Sequence, residues 1–370
     1  LHPDEITIAR LLQESGYATR IVGKWHCGDQ PDFLPTRHGF DGWFGLPYSN
    51  DMGRQVSPEM VGPYRETMAA LGTPVPEDAP MLAERPPLPL MLDEEVVAEQ
   101  PDQAALTERY VADAVQFLRH NRDRPFFLYL AHLYVHLPIY VQDRFVRTSS
   151  NGRYGAAVHC IDWSTEVLLR ELESLSLDHN TVVVFTSDNG PWISFQTHGG
   201  SAGPLRHGKG TTFEGGMRVP GIFRWPGRIA PSTTQAIGSS MDLFATAITL
   251  AGGTVPSDRQ IDGVDLSPVL FGTGSAPREV MAYYRMGELY AFRHGRYKVH
   301  FITEGRYGLP PSRVEHAPPL LFDLGADVGE QYDIATAQPE ALTRIVTAAE
   351  QYHAEMTLGP PLFDRRETTP

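Results

Sequence analysis

Apolar residues recur along this chain with two periods. Leu106, Tyr110, Val111, Ala114, Phe117 and Leu118 fall on one stripe of a helix predicted over 104–119, closed by Arg124-Pro125. Residues 126–131 follow as an uncharged run of strand length. A second helix is predicted over 154–175, on Val158, Ile161, Val167, Leu168, Leu172 and Leu175. It leads into 181–186, β-branched and aromatic without a charge, which predicts a strand buried on both faces in the middle of a parallel sheet. Upstream, Ile8, Leu11 and Leu12 share one face of a helix over 4–15, with Asp4 near its N-cap and Gly16 past its end. Short strands are predicted over 19–23 and 221–224, and a helix over 242–251 ends at Gly252-Gly253. Strands alternating with helices predict an α/β class: a layered, mostly parallel sheet flanked by helices, over 1–276.

Beyond Pro277 the period falls to two. Segments 281–284, 289–293, 297–301 and 320–323 alternate between turns and predict a small antiparallel sheet. An amphipathic helix over 339–356 is expected to cover one face of it, giving a small C-terminal α+β subdomain over 277–370. Two stretches follow neither period. Residues 31–53, rich in Pro, Gly and aromatics, predict a long ordered loop, and 56–101 an irregular surface excursion at the substrate mouth.

Composition narrows the function more than the fold. Among 370 residues, 31 basic against 45 acidic side chains leave a net charge of −14, which argues against a nucleic-acid partner. No apolar run reaches the roughly 18 residues that cross a bilayer, so the chain is not expected to span a membrane. Cys27 and Cys160 are the two cysteines, which is no disulfide scaffold and no zinc spacing. The sequence starts at Leu1 rather than Met and enters a helix almost at once. It reads as a piece whose first part, with any signal peptide, lies upstream.

The candidate chemistry sits at strand ends and in glycine-rich loops. Lys24 and His26, within Gly23-Lys-Trp-His-Cys-Gly28, can aim two donors into one cleft, or be a surface Lys and a packed His. Ser49-Asn50-Asp51 can line a site. His132 and His136 follow the 126–131 strand; His136, before Leu-Pro, is the better site candidate and His132 the better packing residue. Asp188-Asn189-Gly190 places two hard oxygens at a strand's carboxyl end, suited to Ca²⁺ or Mg²⁺, and equally reads as an Asx turn. Lys209 stands in a glycine-dense loop as a compact charge for a tetrahedral anion, while Glu214 and Arg218 can brace that loop by pairing.

Together these stretches resemble the sulfatase family of the alkaline-phosphatase-like superfamily, in its arylsulfatase A-like branch. The likeness covers nearly the whole chain. It is carried by Gly-Lys-Trp-His at 23–26, His-Gly-Phe at 38–40, Pro-Tyr-Ser at 47–49, Pro-Phe-Phe at 125–127, Ser-Asp-Asn-Gly at 187–190, Gly-Lys-Gly-Thr-Thr-Phe-Glu-Gly-Gly-Met-Arg-Val-Pro at 208–220 and Leu-Phe-Asp-Leu at 321–324. The resemblance implies hydrolysis of a small-molecule or glycan sulfate ester by a formylglycine hydrate. It makes Asp188 and Asn189 ligands of one Ca²⁺, with Mg²⁺ as the substitute, and Lys24 and His26 contacts of the nucleophile. His136 and Lys209 then bind sulfate and assist the leaving group, and Ser49 adds a polar contact.

The chain departs from the family pattern at the nucleophile. No Cys-x-Pro-x-Arg or Ser-x-Pro-x-Arg occurs, Cys27 lies in Cys-Gly-Asp-Gln-Pro, and two further acidic metal ligands are absent. The expectation is a sulfatase whose nucleophile segment precedes Leu1, inactive without it and left with an unpaired sheet edge. A periplasmic or secreted location follows from a signal in that segment, with a cytoplasmic one left open, and the lone cysteines suggest a bacterial relative. The alternatives are a phosphatase or phosphodiester hydrolase of the same superfamily, and a non-catalytic anion- or metal-binding module.

Overall fold

A computed structural model describes residues 1–54, 69 and 86–356. The chain divides into two compact units. The first comprises Leu1–Asp188, Trp192–Ser201 and Pro220–Pro277; the second comprises Asn189–Pro191, Ala202–Val219 and the chain from Arg278 onward.

The first unit is built on a five-stranded sheet of β1 (Ala18–Gly23), β2 (Gly42–Gly45), β3 (Pro89–Leu92), β4 (Glu95–Glu99) and β5 (Phe126–Ala131), in the order β4-β3-β2-β1-β5. Strands β2, β1 and β5 are parallel, and β3 and β4 add an antiparallel hairpin. Alternation along β1 sends successive side chains to opposite faces. Ile21 packs with Ala9, Phe40 and Trp43 on one side, and Val22 with Leu90, Leu106 and Tyr110 on the other. Helix Ile8–Glu14 contributes Ala9 to the first face, and helix Leu106–His120 contributes Leu106 and Tyr110 to the second.

Four expectations change. The first helix begins at Ile8 because Thr7 caps it, its hydroxyl accepting the Arg10 N–H at 3.0 Å. The aromatic stretch 31–53 contains β2, whose Trp43 is fully buried and donates its indole N–H to the Gly23 carbonyl at 3.2 Å. Part of the supposed excursion is the hairpin of β3 and β4; most of the rest lies outside the described residues. Helix Gly152–Ser174 buries Leu172 as expected, but also Ala156, Ala157, Cys160 and Ser164 in place of Val158, which is 42% exposed. Small side chains there let Leu137, Ile139, Val141 and Phe145 approach the helix closely.

The largest correction concerns the run at 181–186. It does form a strand, β6 (Val183–Thr186), yet β6 pairs antiparallel with β7 (Gly221–Arg224) in a separate two-stranded sheet. Val184 is 38% and Ile222 58% exposed. On β5, Tyr129 is 49% exposed. The uncharged run fixes strand propensity, whereas burial needs a covering neighbour, and among the described residues β6 has only β7.

The second unit carries the expected antiparallel sheet: β8 (Val280–Arg285), β9 (Glu288–His294), β10 (Tyr297–Thr303) and β11 (Val314–Asp323), in the order β11-β10-β9-β8. Helix Pro339–Glu355 lays Ala341, Ile345 and Ala349 on Phe292, Val299 and Leu321. On the opposite face, Lys298 and His300 of β10 are fully buried. Helix Asp242–Leu250, predicted from the sequence, belongs to the first unit. Among the described residues no helix is long and apolar enough to cross a membrane.

Candidate active site

Three parallel strands deliver the polar residues of the first unit to one sheet edge. Beyond β1, the Lys24 N–H donates to the Ala131 carbonyl at 2.8 Å, Trp25 to Leu46 at 2.9 Å and His26 to Pro47 at 3.0 Å. The segment is thus held first by the end of β5 and then by the two residues past β2. Gly23 makes this possible: its φ is 113°, and a Cβ there would stand 1.9 Å from the Ala131 oxygen. Trp25 anchors the far side, donating its indole N–H to Phe33 at 2.8 Å and meeting Phe40 edge-on. Lys24 is half-buried and His26 exposed.

Beyond β2 and β5, Ser49 and His136 meet across 87 positions of sequence, with Ser49 Oγ 3.2 Å from His136 Nδ1. That nitrogen also lies 2.6 Å from the Leu137 carbonyl oxygen. A carbonyl only accepts, so Nδ1 is assigned the proton, which leaves Nε2 as the ring's acceptor nitrogen. The imidazole packs against Trp192, whose ring meets Phe195 at 4.6 Å. His132 plays the other part foreseen for the pair: Nε2 is 3.0 Å from Ser164 Oγ, and loss of water contact lowers its pKa to about 4. It is packed and neutral.

Asp188 is exposed just past β6, in the first unit. Asn189 and Lys209 belong to the second, where they lie on two hydrogen-bonded segments. The Lys209 N–H donates to the Pro191 carbonyl at 2.8 Å, and the Gly190 N–H to Gly216 at 3.0 Å. Gly190 is required at that crossing, since a Cβ would fall 1.8 Å from the Gly215 oxygen. Asp188 and Asn189 offer oxygen donors of the kind a hard divalent cation takes, but Ca²⁺ needs six to eight. Among the described residues no three His, Cys, Asp or Glu side chains gather as a metal cluster.

Sequence reasoning missed the charged core under the 202–219 loop. Lys298 Nζ lies 2.8 Å from the Thr212 carbonyl and 3.0 Å from both Glu214 Oε1 and Glu330 Oε1. Glu214 also draws Arg293 at 3.7 Å and Arg218 at 3.9 Å, so the foreseen Glu214–Arg218 pairing is present but peripheral. Glu330 accepts from His300 Nε2 at 2.7 Å. Burial alone would raise the Glu330 pKa; Lys298 and the His300 hydrogen bond hold it down at about 2. Burial would lower that of Lys298, and the Glu330, Tyr283 and Glu214 partners raise it. The signal in the sequence was Lys298 and His300 alternating on one face of a strand that otherwise reads apolar.

This core titrates in acid. Burial lowers the His300 pKa from 6.5 to about 4, against the pull of Glu330. Between those values the unfolded chain binds a proton that the folded one refuses, so stability rises with pH across that window. The expected loss from pH 7 to pH 4 is on the order of 3 kcal/mol from this residue. Thermal melts of the wild type and His300→Gln over that range check it: the variant's profile should be flatter, and parallel profiles would remove the assignment.

Residues 1–253 match the Sulfatase family, and residues 276–370 the C-terminal region of aryl-sulfatase. Arylsulfatase A of Bos taurus is 37% identical over 383 aligned positions, spanning 96% of this chain and 73% of that protein. N-acetylgalactosamine-6-sulfatase of Canis lupus familiaris is 40% identical over 386, spanning 97% and 70%. The crystal structure of the PsFucS1 sulfatase from Pseudoalteromonas sp. superposes with a TM-score of 0.83 at 26% identity, covering 95% of this chain and 73% of that one. Both of these sequence relatives are animal proteins and lend no support to the bacterial origin suggested by the cysteines.

Proposed function

This chain belongs to the sulfatase family, hydrolases of sulfuric esters with an alkaline-phosphatase-like fold, and we propose that it acts through Lys24, His26, His136 and Lys209 with Ca²⁺ on Asp188 and Asn189. The observation that carries the reading is the common edge of β2, β1 and β5, which presents Lys24, His26, Ser49 and His136 together. Lys24 supplies a fixed positive charge for a developing sulfate dianion. His136, with Nδ1 committed to the Leu137 carbonyl, has Nε2 left for the ester; as the imidazolium it passes the Nε2 proton to the departing oxygen and returns to the neutral Nδ1–H form. Ser49 holds the ring in that orientation. Lys209 carries the second charge that the resemblance assigns to sulfate.

Asp188 and Asn189 would supply two of the oxygen ligands of a Ca²⁺, which would polarise the sulfate ester as a Lewis acid. The nucleophile is assigned to a formylglycine hydrate from a Cys-x-Pro-x-Arg or Ser-x-Pro-x-Arg segment, which does not occur within residues 1–370. A sulfated sugar is the favoured substrate class, supported by the N-acetylgalactosamine-6-sulfatase relative. Export from the cytoplasm is part of the proposal.

The test begins with the coding sequence upstream of Leu1 and continues with the longer protein. Its hydrolysis of an aryl sulfate and of a 6-sulfated N-acetylgalactosamine is assayed before and after chelation. Chelation is expected to lower the rate by about 10²-fold or more, restored by Ca²⁺. Undiminished turnover without metal would strike the metal assignment, and a preference for phosphate esters would move the protein to another branch of the fold.

A further inference from the structure

Lys209 acts at the end of a flexible stem, on a loop where glycine occupies positions 208, 210, 215 and 216. Such a loop loses much conformational freedom when it is fixed, and something must hold it. Glu330 bonds to both flanks of the segment that contains Lys209. On the N-terminal side, Arg206 donates to the Glu330 backbone carbonyl at 2.7 Å. On the C-terminal side, the Glu214 N–H donates to Glu330 Oε2 at 2.7 Å. The other carboxylate oxygen is engaged by Lys298 and His300, and Lys298 returns to the loop through the Thr212 carbonyl. Between these ties Phe213 stacks on His207 at 4.7 Å and on His300 at 4.9 Å.

Glu330 itself is fully buried and held at a φ of 51°, in the left-handed region that a residue with a side chain seldom occupies. Backbone held there costs free energy and persists where the surroundings over-determine it. We propose that Glu330 is a positioning residue for Lys209: with Lys298 and His300 behind it, it fixes both ends of residues 206–214 and so sets where the Lys209 ammonium stands. The same clamp extends to Asn189, because Lys209 bonds to Pro191 and Gly216 to Gly190. The inference rests on the proposed role of Lys209 in turnover.

The experiment is Glu330→Gln in the longer protein, which keeps the shape and removes the charge. Three readouts are taken: amide hydrogen exchange at Gly190 and Lys209, steady-state kinetics per folded enzyme, and inhibition by inorganic sulfate. Exchange at both amides is expected to rise by on the order of tenfold or more. The kcat/KM should fall by on the order of 10- to 100-fold, with a weaker Ki for sulfate. In a Lys209→Ala background the same change should cost less than about twofold, because the clamp works through that lysine.

Unchanged exchange with unchanged kcat/KM overturns the proposal, as does an equal loss of activity in both backgrounds, the mark of a general structural role. Faster exchange with normal turnover leaves the clamp standing and strikes the role assigned to Lys209. Should Glu330→Gln fail to fold, Arg206→Met removes the half-buried N-terminal tie alone and should move the same readouts in the same direction. No movement there overturns the clamp.

Discussion

Lys209→Ala in the longer protein is expected to lower kcat for sulfate-ester hydrolysis by about 10²-fold or more, with the melting transition nearly unmoved. A positioned charge facing an oxyanion is worth on the order of 3 kcal/mol in the transition state, and alanine supplies none of it. The fold keeps its tie, since the Lys209 hydrogen bond to the Pro191 carbonyl comes from backbone N–H. Lys209→Arg should recover only part of the loss, because a planar fork replaces a point charge in a loop shaped by glycines. Initial rates on an aryl sulfate, with a melt as control, decide the matter. A kcat close to wild type would take Lys209 out of the mechanism, and a collapsed melt would make it a folding residue.

The second large effect is on stability. Lys298→Met should cost about 3–5 kcal/mol, the usual consequence of stranding buried charge. Two carboxylates, Glu214 and Glu330, both essentially without solvent contact, share this one buried ammonium. Methionine fills the stem's volume and leaves them facing one another's field. The triple change Lys298→Met, Glu214→Gln, Glu330→Gln should therefore be more stable than the single one, although it alters more atoms. Urea denaturation of both variants checks the order. A single variant equal to or more stable than the triple would mean that water or the rim arginines Arg293 and Arg218 carry the compensation instead.

How far the sequence spoke depended on whether the signal was local. The stripe of Leu106, Tyr110, Val111, Ala114 and Leu118 is local, and the helix Leu106–His120 follows it. The alternation in 280–323 is local too, and β8 to β11 appear where it stands. Burial is not local. The run at Val183–Thr186 reads as a core strand by composition, yet what covers it is decided by strands far away in sequence. Helix Gly152–Ser174 departed in part from the expectation for the same reason: Leu172 is buried as predicted, but the neighbours at 137–145 select alanine and cysteine for their contact. Among the candidate residues, Lys24, His26, His136 and Lys209 were legible as residues at strand ends or among glycines. The Ser49–His136 pair was not, because its members are 87 positions apart. Glu330 carried no motif at all; its meaning comes from the three segments that meet on it.

That meeting has a schedule. Glu214 is synthesised 84 residues before Lys298 and 116 before its own backbone partner, the Glu330 carboxylate. At about 5–20 residues per second, the interval to Lys298 is roughly 4–17 s. Throughout that time the lysine loop exists on the ribosome with its clamp unmade, and its carboxylate must stay in water. The first unit's five-stranded sheet is complete by residue 131 and can form as soon as its strands emerge. The Lys209 loop cannot, so an arrested or truncated chain ending before β10 would carry a folded sheet and a Lys209 loop lacking its Lys298 and Glu330 ties.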